Sequence, residues 1–168
     1  MPDVPAPEKG MPLVDLARER GPEAAEHWER EWAALDIRHV GITGQGLPED
    51  PEHAARARLW IRVDGTLADD ATVQQAAFTY ASDLTLLGAA LVPHGINIAS
   101  PRLQPASLDH TIWFHRPFRA DEWWLYDQFS PFAGGARGLA LARVFSQSGE
   151  LVATVAQEGL IRLRDGRA

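Results

Sequence analysis

Residues 69–91 read DDATVQQAAFTYASDLTLLGAAL, and their apolar positions recur with a helical period. On a wheel of about 100° per residue, Val73, Ala76, Ala77, Tyr80, Leu84, Leu87 and Leu91 fall on one stripe. The spacing predicts one long helix, opened by Asp69 and Asp70 at its positive dipole end and stopped by Pro93, His94 and Gly95. Asp83 falls on the edge of the stripe. An ionised carboxylate against an apolar face is costly unless it is paired or hydrogen-bonded. Spacing alone leaves two readings open: a helix-edge Asp reaching solvent or a backbone N–H, or a catalytic carboxylate beside a substrate cleft.

The rest of the pattern is mostly of period two. Leu59, Ile61 and Val63 alternate with Trp60 and Arg62, which predicts a strand over 57–63 closed by Asp64 and Gly65. Upstream, prolines at 2, 5, 7 and 12 predict an extended, poorly ordered lead-in. A helix is expected after Pro22, with Trp28, Trp32 and Leu35 at i, i+4, i+7 on a face that docks on the domain or on a partner. Residues 35–42 alternate weakly as a strand, and 43–51 (TGQGLPEDP) is turn chemistry. Beyond the helix, strands are expected over 107–116, 122–129, 136–146 and 151–164, with turns at 130–135 and 147–149. Four strands with such short connections must be largely antiparallel. One long helix followed by an antiparallel meander predicts an α+β layer, a curved sheet wrapping a central helix. Residues 31–168 would form this single domain, with 1–30 as an extended and helical lead-in.

Composition narrows the function classes. The chain has 168 residues, 45% hydrophobic and 23% charged, which suits one globular domain. Acidic residues number 23 against 16 basic, a net charge of −7, so broad electrostatic binding to nucleic acid is disfavoured. The aromatic cluster Trp113, Phe114, Trp123, Trp124 and Tyr126 therefore reads as core or interface, not as a base-stacking platform. With no cysteine there is no thiol nucleophile and no thiolate-ligated metal. No uninterrupted apolar run reaches the length of a membrane span and the N-terminus lacks a signal pattern, so no membrane contact and a cytoplasmic location are the expectation.

Few polar residues stand out as candidates for chemistry. On a strand over 107–116, Ser107, Asp109, Thr111, Trp113 and His115 share one face, and Leu108, His110, Ile112, Phe114 and Arg116 the other. Neither face is cleanly apolar, as in a sheet covered on both sides at a subunit interface. On the last strand Leu151, Ala153, Val155 and Gln157 share a face. Gln157 closes this apolar row just before Glu158 and Gly159, where a bulge would fit. It is either a satisfied amide or an active-site hydrogen-bonder. His110 and His115 would point to opposite faces, which makes them structural and not a shared metal site. No G-x-S-x-G elbow and no dinucleotide fingerprint is present.

Three segments add a resemblance: YASDLTLLGAALVPHG (80–95), SLDHTIWFHRPFRADEWWLYD (107–127) and ARG…GELVATVAQEGLIR (136–162), preceded by LWIRVDGTLADD. In order and spacing they resemble the type II acyl-CoA thioesterases, a hotdog-fold family, over roughly residues 56–164. The resemblance implies hydrolysis of fatty acyl-CoA thioesters to free acid and CoA, with no cofactor and no metal. It implies a catalytic trio of Asp83 in YASD, Ser107 two positions before the LDH Asp, and Gln157 in QEG. The family position of Ser107 is often Thr. Arg116, Arg119 and Arg137 are candidates to meet the CoA phosphates. Family enzymes typically carry two hotdog repeats, and this chain resembles the second, with residues 1–30 similar to the connection between them. A second copy of the chain would then replace the missing repeat, giving a homodimer or higher homo-oligomer. The alternative is a non-catalytic domain that binds acyl-CoA or pairs subunits. An enoyl-CoA hydratase is disfavoured, because Asp83 and His94 lie too far apart along the helix.

Overall fold

The computed structural model describes residues 1–48 and 55–164; the 49–51 end of the expected turn and the last four residues of the expected domain lie outside them. A 3-10 turn (Pro7–Lys9) leads into β1 (Met11–Pro12), α1 (Leu13–Glu19), α2 (Pro22–Glu31), β2 (Leu35–Thr43), β3 (Gly46–Leu47) and β4 (Arg56–Val63). Then come α3 (Ala71–Leu86), its 3-10 continuation (Leu87–His94), β5 (Leu103–Ser107), β6 (Thr111–Phe114), β7 (Trp124–Gly134), β8 (Arg137–Ser146) and β9 (Leu151–Leu163). The strands make one sheet in the order β1-β2-β4-β7-β8-β9-β5, with β3 beside β2 and β6 beside β9. All pairings are antiparallel except β2 with β3.

α3 lies against one face of this sheet and buries Phe78, Ala81 and Leu86 among Ile61, Trp124, Tyr126, Val144 and Val155. Phe78 meets Trp124 edge-on at 5.0 Å between centroids and Phe118 at 5.1 Å, a geometry aromatic quadrupoles favour. Asp70 caps the helix, its Oδ1 accepting from Thr72 N at 2.7 Å and Val73 N at 3.2 Å. The expected apolar stripe is rotated in the structure. Val73 and Tyr80 are 39% and 53% exposed, while Gln74 and Ser82 are buried. The buried polar residues have dedicated partners, which a hydrophobicity wheel does not count. Gln74 accepts from Ala120 N and donates to Ala68 O. By length and composition Ala71–His94 would suffice to cross a membrane, but its Phe78, Ala81 and Leu86–Leu87 side is packed in the core.

The continuation of α3 approaches the sheet where two glycines face each other across β8 and β9, Gly138 opposite Gly159. A Cβ on Gly138 would lie 2.7 Å from Ala90 Cβ, and one on Gly159 2.5 Å from Leu87 Cδ2. Side chains at these two positions would hold the rod off the sheet. Their absence brings Asp83, one turn before Leu87, within reach of β9.

The other face of the sheet carries Trp60, Leu125 and Phe145, with Val4 packed on them. Trp60 Nε1 donates to Pro5 O at 2.9 Å, and β1 pairs with β2. The first 12 residues are therefore pinned to the sheet, in contrast to the poorly ordered lead-in expected from their prolines. Trp28 and Trp32 meet at 4.6 Å between centroids with their rings tilted by 55° and pack on the core, while Leu35 belongs to β2 and not to the helix. Further along this face the buried Asp127 accepts from Arg58, Arg56 and Arg143. Burial alone would raise its carboxyl. The hydrogen bonds from Arg58 and Arg143, with the charges of Arg58 and Arg56, hold it below the usual carboxylate range instead.

Candidate active site

The expected strand over 107–116 is broken, and the break builds the site. Ser107 pairs with Gly159 and Thr111 with Ala156, so 108–110 stand opposite only 157 and 158. The surplus residue makes a bulge-like kink opposite Glu158. Leu108 N bonds Glu158 O at 2.9 Å, and Asp109 Oδ1 accepts from Glu158 N at 2.8 Å. A side-chain bond to the facing strand thus replaces a ladder bond. Strand alternation fails across the kink, and His110 turns towards α3 instead of away from Ser107's neighbours.

The three residues named from the sequence meet at one oxygen. Gln157 is buried on β9 and its Nε2 donates to Asp83 Oδ1 and, at 2.8 Å, to Ser107 Oγ. Ser107 Oγ lies 3.4 Å from the same Oδ1 and is placed to donate to it. The amide orientation follows from the chemistry, since an ionised carboxylate only accepts. Asp83 Oδ2 takes part in none of these contacts. The Asp83 side chain is 49% exposed, so the trio forms at a surface and not in a sealed cavity. Exposed side chains stand beside it: Tyr80 (53%) one turn earlier on α3 and Leu108 (56%) next to Ser107, whereas Trp113, paired with Thr154, lies on the opposite face of the sheet.

Below Asp83 the helix is fixed by bonds that the sequence did not reveal. Tyr126 Oη donates to Ser82 O at 2.9 Å. Burial, with the negative charge of Asp83, pushes the Tyr126 phenol well above its ordinary range, which keeps it a donor. Ser82 Oγ donates to Thr79 O at 3.0 Å and lies 2.8 Å from His110 Nε2. His110 Nδ1 in turn lies 3.7 Å from Asp83 Oδ1. The only hint of this in sequence was His110 lying three positions after Ser107, and strand alternation pointed it the wrong way.

Among the arginines considered for CoA, Arg119 is engaged by Asp121 at 2.8 Å, Asp69 at 3.1 Å and Leu67 O at 3.1 Å, and ties a loop to the start of α3. Arg116 and Arg137 are looser, at 3.7 Å from Glu150 and 3.4 Å from Glu158, and are more than half exposed. A cavity of about 510 Å³ opens at the N-terminal end of α3, lined by Asp70, Gln74, Phe114, Arg116 and Phe118. None of the trio lines it. Among the described residues no cluster of His, Asp and Glu could hold a metal ion.

A long helix against one face of a large antiparallel sheet is the hotdog fold. A protein with that fold from Alicyclobacillus acidocaldarius superposes on 98% of the chain with a TM-score of 0.65 at 18% identity. Residues 49–160 match the acyl-CoA thioesterase family, and the chain belongs to it. Human acyl-coenzyme A thioesterase 8 is 34% identical over 172 residues, which cover 98% of this chain and 53% of that protein. Acyl-CoA thioesterase 2 of Haemophilus influenzae is 42% identical over 106 residues, 63% of this chain and 37% of that protein. The crystal structure of the acyl-CoA thioesterase II TesB2 from Mycobacterium marinum has a TM-score of 0.80 at 41% identity, covering 99% of this chain and 57% of that one. The chain spans about half the length of human thioesterase 8, 53% of it.

Proposed function

We propose that this chain hydrolyses fatty acyl-CoA thioesters to free fatty acid and CoA, with Asp83, Ser107 and Gln157 holding and activating the attacking water. The observation that supports it best is the convergence of Ser107 and Gln157 on Asp83 Oδ1. These contacts fix the carboxylate and leave Oδ2 to accept a proton from a bound water. The water oxygen adds to the thioester carbonyl, its proton passes to Asp83, and the C–S bond of the tetrahedral adduct then breaks. The proton returns to the departing CoA sulfur, and no covalent enzyme intermediate forms. General-base help of this kind contributes roughly 10²- to 10⁴-fold.

The same reading assigns the working unit. β6 and β5 pair only with β9 among the described residues and form the sheet's terminal edge. With Tyr80 and Leu108 exposed beside a half-exposed Asp83, the cleft lacks a wall. A second copy laid edge to edge supplies that wall and buries the apolar side chains. The exposure of Asp83 also favours a second reading, a domain that pairs subunits or binds acyl-CoA without hydrolysing it. Release of free thiol from short, medium and long acyl-CoAs, measured with the mass in solution, separates the two. A dimer that releases thiol is expected. A dimer that releases none at any chain length favours the second reading and overturns the first.

A further inference from the structure

The cavity of about 510 Å³ at the N-terminal end of α3 stands apart from the trio but in line with it. Gln75, Thr79 and Asp83 recur every four residues on α3 and are all exposed, so they form one track along the helix. Gln75 lines the cavity, and Asp83 stands at the other end of the track. Twelve residues of helix separate Ala71, on the cavity wall, from Asp83, a span of about 18 Å at 1.5 Å per residue. β6 runs beside the same track. His110 lies 2.8 Å from Ser82, Ile112 packs on the core, and Phe114 meets Phe78 edge-on at 5.7 Å between centroids. This inward row follows α3 from the trio to the cavity.

The chemistry of the cavity selects what it can hold. Its apolar lining is Ala71, Phe114, Pro117 and Phe118. Midway along the track Thr79 Oγ1 donates back to Gln75 O at 2.7 Å, so that hydroxyl proton is already used. The charged groups at the rim are poor partners for a phosphate. Arg119 is bonded to Asp121 and Asp69, and Arg116 stands 3.7 Å from Glu150. Asp70 takes the N–H groups of Thr72 and Val73, the donors that a helix start would otherwise offer to an anion. A hydrocarbon chain asks for no such partners and gains from the aromatic wall. Resting on the hydrolytic reading of Asp83, we propose that this cavity receives the far end of the substrate's acyl chain, so that the site is built for long-chain acyl-CoAs. The chain leaves the thioester at Asp83, follows the groove between α3 and β6, and buries its last methylenes against Phe114 and Phe118.

The test fills the cavity and reads chain length. Gln75→Trp and, one turn earlier, Ala71→Phe each add a large ring at an exposed position of α3 that lines the cavity. Thiol release is measured with hexanoyl-CoA and palmitoyl-CoA, and thermal unfolding shows that each variant keeps the parent fold. The parent is expected to prefer palmitoyl-CoA in kcat/KM. In each variant kcat/KM for palmitoyl-CoA should fall about tenfold further than that for hexanoyl-CoA, whose chain ends short of the cavity. A ratio of the two kcat/KM values that stays at the parent's overturns the proposal while leaving Asp83 as base. If that unchanged ratio comes with a common loss, the cavity holds the CoA arm that both substrates share. If the parent releases no thiol from either substrate, the hydrolytic reading falls and this inference with it.

Discussion

Gln157 Nε2 donates to Asp83 Oδ1 although the two residues stand 74 positions apart, one on β9 and the other near the end of α3. The contact exists because Gly159, two residues further along β9, has no side chain to hold Leu87 away. Helix, strand and kinked edge are thus brought to one point by packing, and the polar trio is a consequence of that approach.

Ser107 contributes a hydroxyl that accepts from Gln157 and donates to Asp83. Ser107→Ala removes both roles and should lower kcat about tenfold, the worth of one hydrogen bond to a charged group. Ser107→Thr keeps the hydroxyl on an extended backbone and should retain activity within a fewfold of the parent. Steady-state thiol release by the two variants decides this. Equal activity of Ser107→Ala and the parent would remove Ser107 from the site.

Gly138→Ala tests the close approach of rod and sheet. The new Cβ would lie 2.7 Å from Ala90 Cβ, and neither atom is the end of a flexible side chain. A loss of about 1–3 kcal/mol is expected, the usual cost of overpacking. Denaturant unfolding reads it, and an unchanged midpoint would show that the rod lies farther from β8.

Asp127→Asn leaves Arg56, Arg58 and Arg143 around a neutral amide. Breaking a buried ion-pair network by removing its acid typically costs about 3 kcal/mol. Because Asp127 is on the sheet face opposite α3, kcat of the folded variant should stay close to that of the parent. A fully stable variant would contradict the network's role.

His39 predicts a pH effect on stability. Burial lowers its imidazole below the ordinary value of about 6.5. The unfolded chain therefore takes up a proton as pH falls through that value while the folded chain does not, and stability drops in that window. The depressed carboxyls of Asp127 and Asp121 lose their contribution only below about pH 4, so the two windows are separate. The Tm of the parent should fall more steeply between pH 7.5 and 5.5 than that of His39→Gln. Parallel curves would refute it.

Much of the fold was legible because β4, β8 and β9 are runs of strand-forming residues bounded by turn residues, and the α3 segment is long and apolar between Asp70 and Pro93. Asp83 and Gln157 stood out as polar residues on or beside apolar rows, and the resemblance of YASD, SLDH and QEG joined Ser107 to them. The rotation of α3 was not legible, since the wheel treats Gln74 and Ser82 as outward-facing when their side chains have specific partners, Ala120 N and Ala68 O for Gln74 and Thr79 O and His110 for Ser82. β7 likewise runs on to Gly134 through an irregular register after Phe129, where composition suggested a turn. The kink at 108–110 depends on pairing with Glu158, a long-range contact no local pattern encodes. For that reason strand alternation points His110 away from Asp83, whereas the structure places its Nδ1 3.7 Å from Asp83 Oδ1.

The most direct test of the central claim is free-thiol release from acyl-CoA by Asp83→Asn beside the parent, with thermal unfolding of both. The account predicts the same fold and Tm within a few degrees, with kcat lower by roughly 10²- to 10⁴-fold. An Asp83→Asn enzyme that releases thiol as fast as the parent would contradict it.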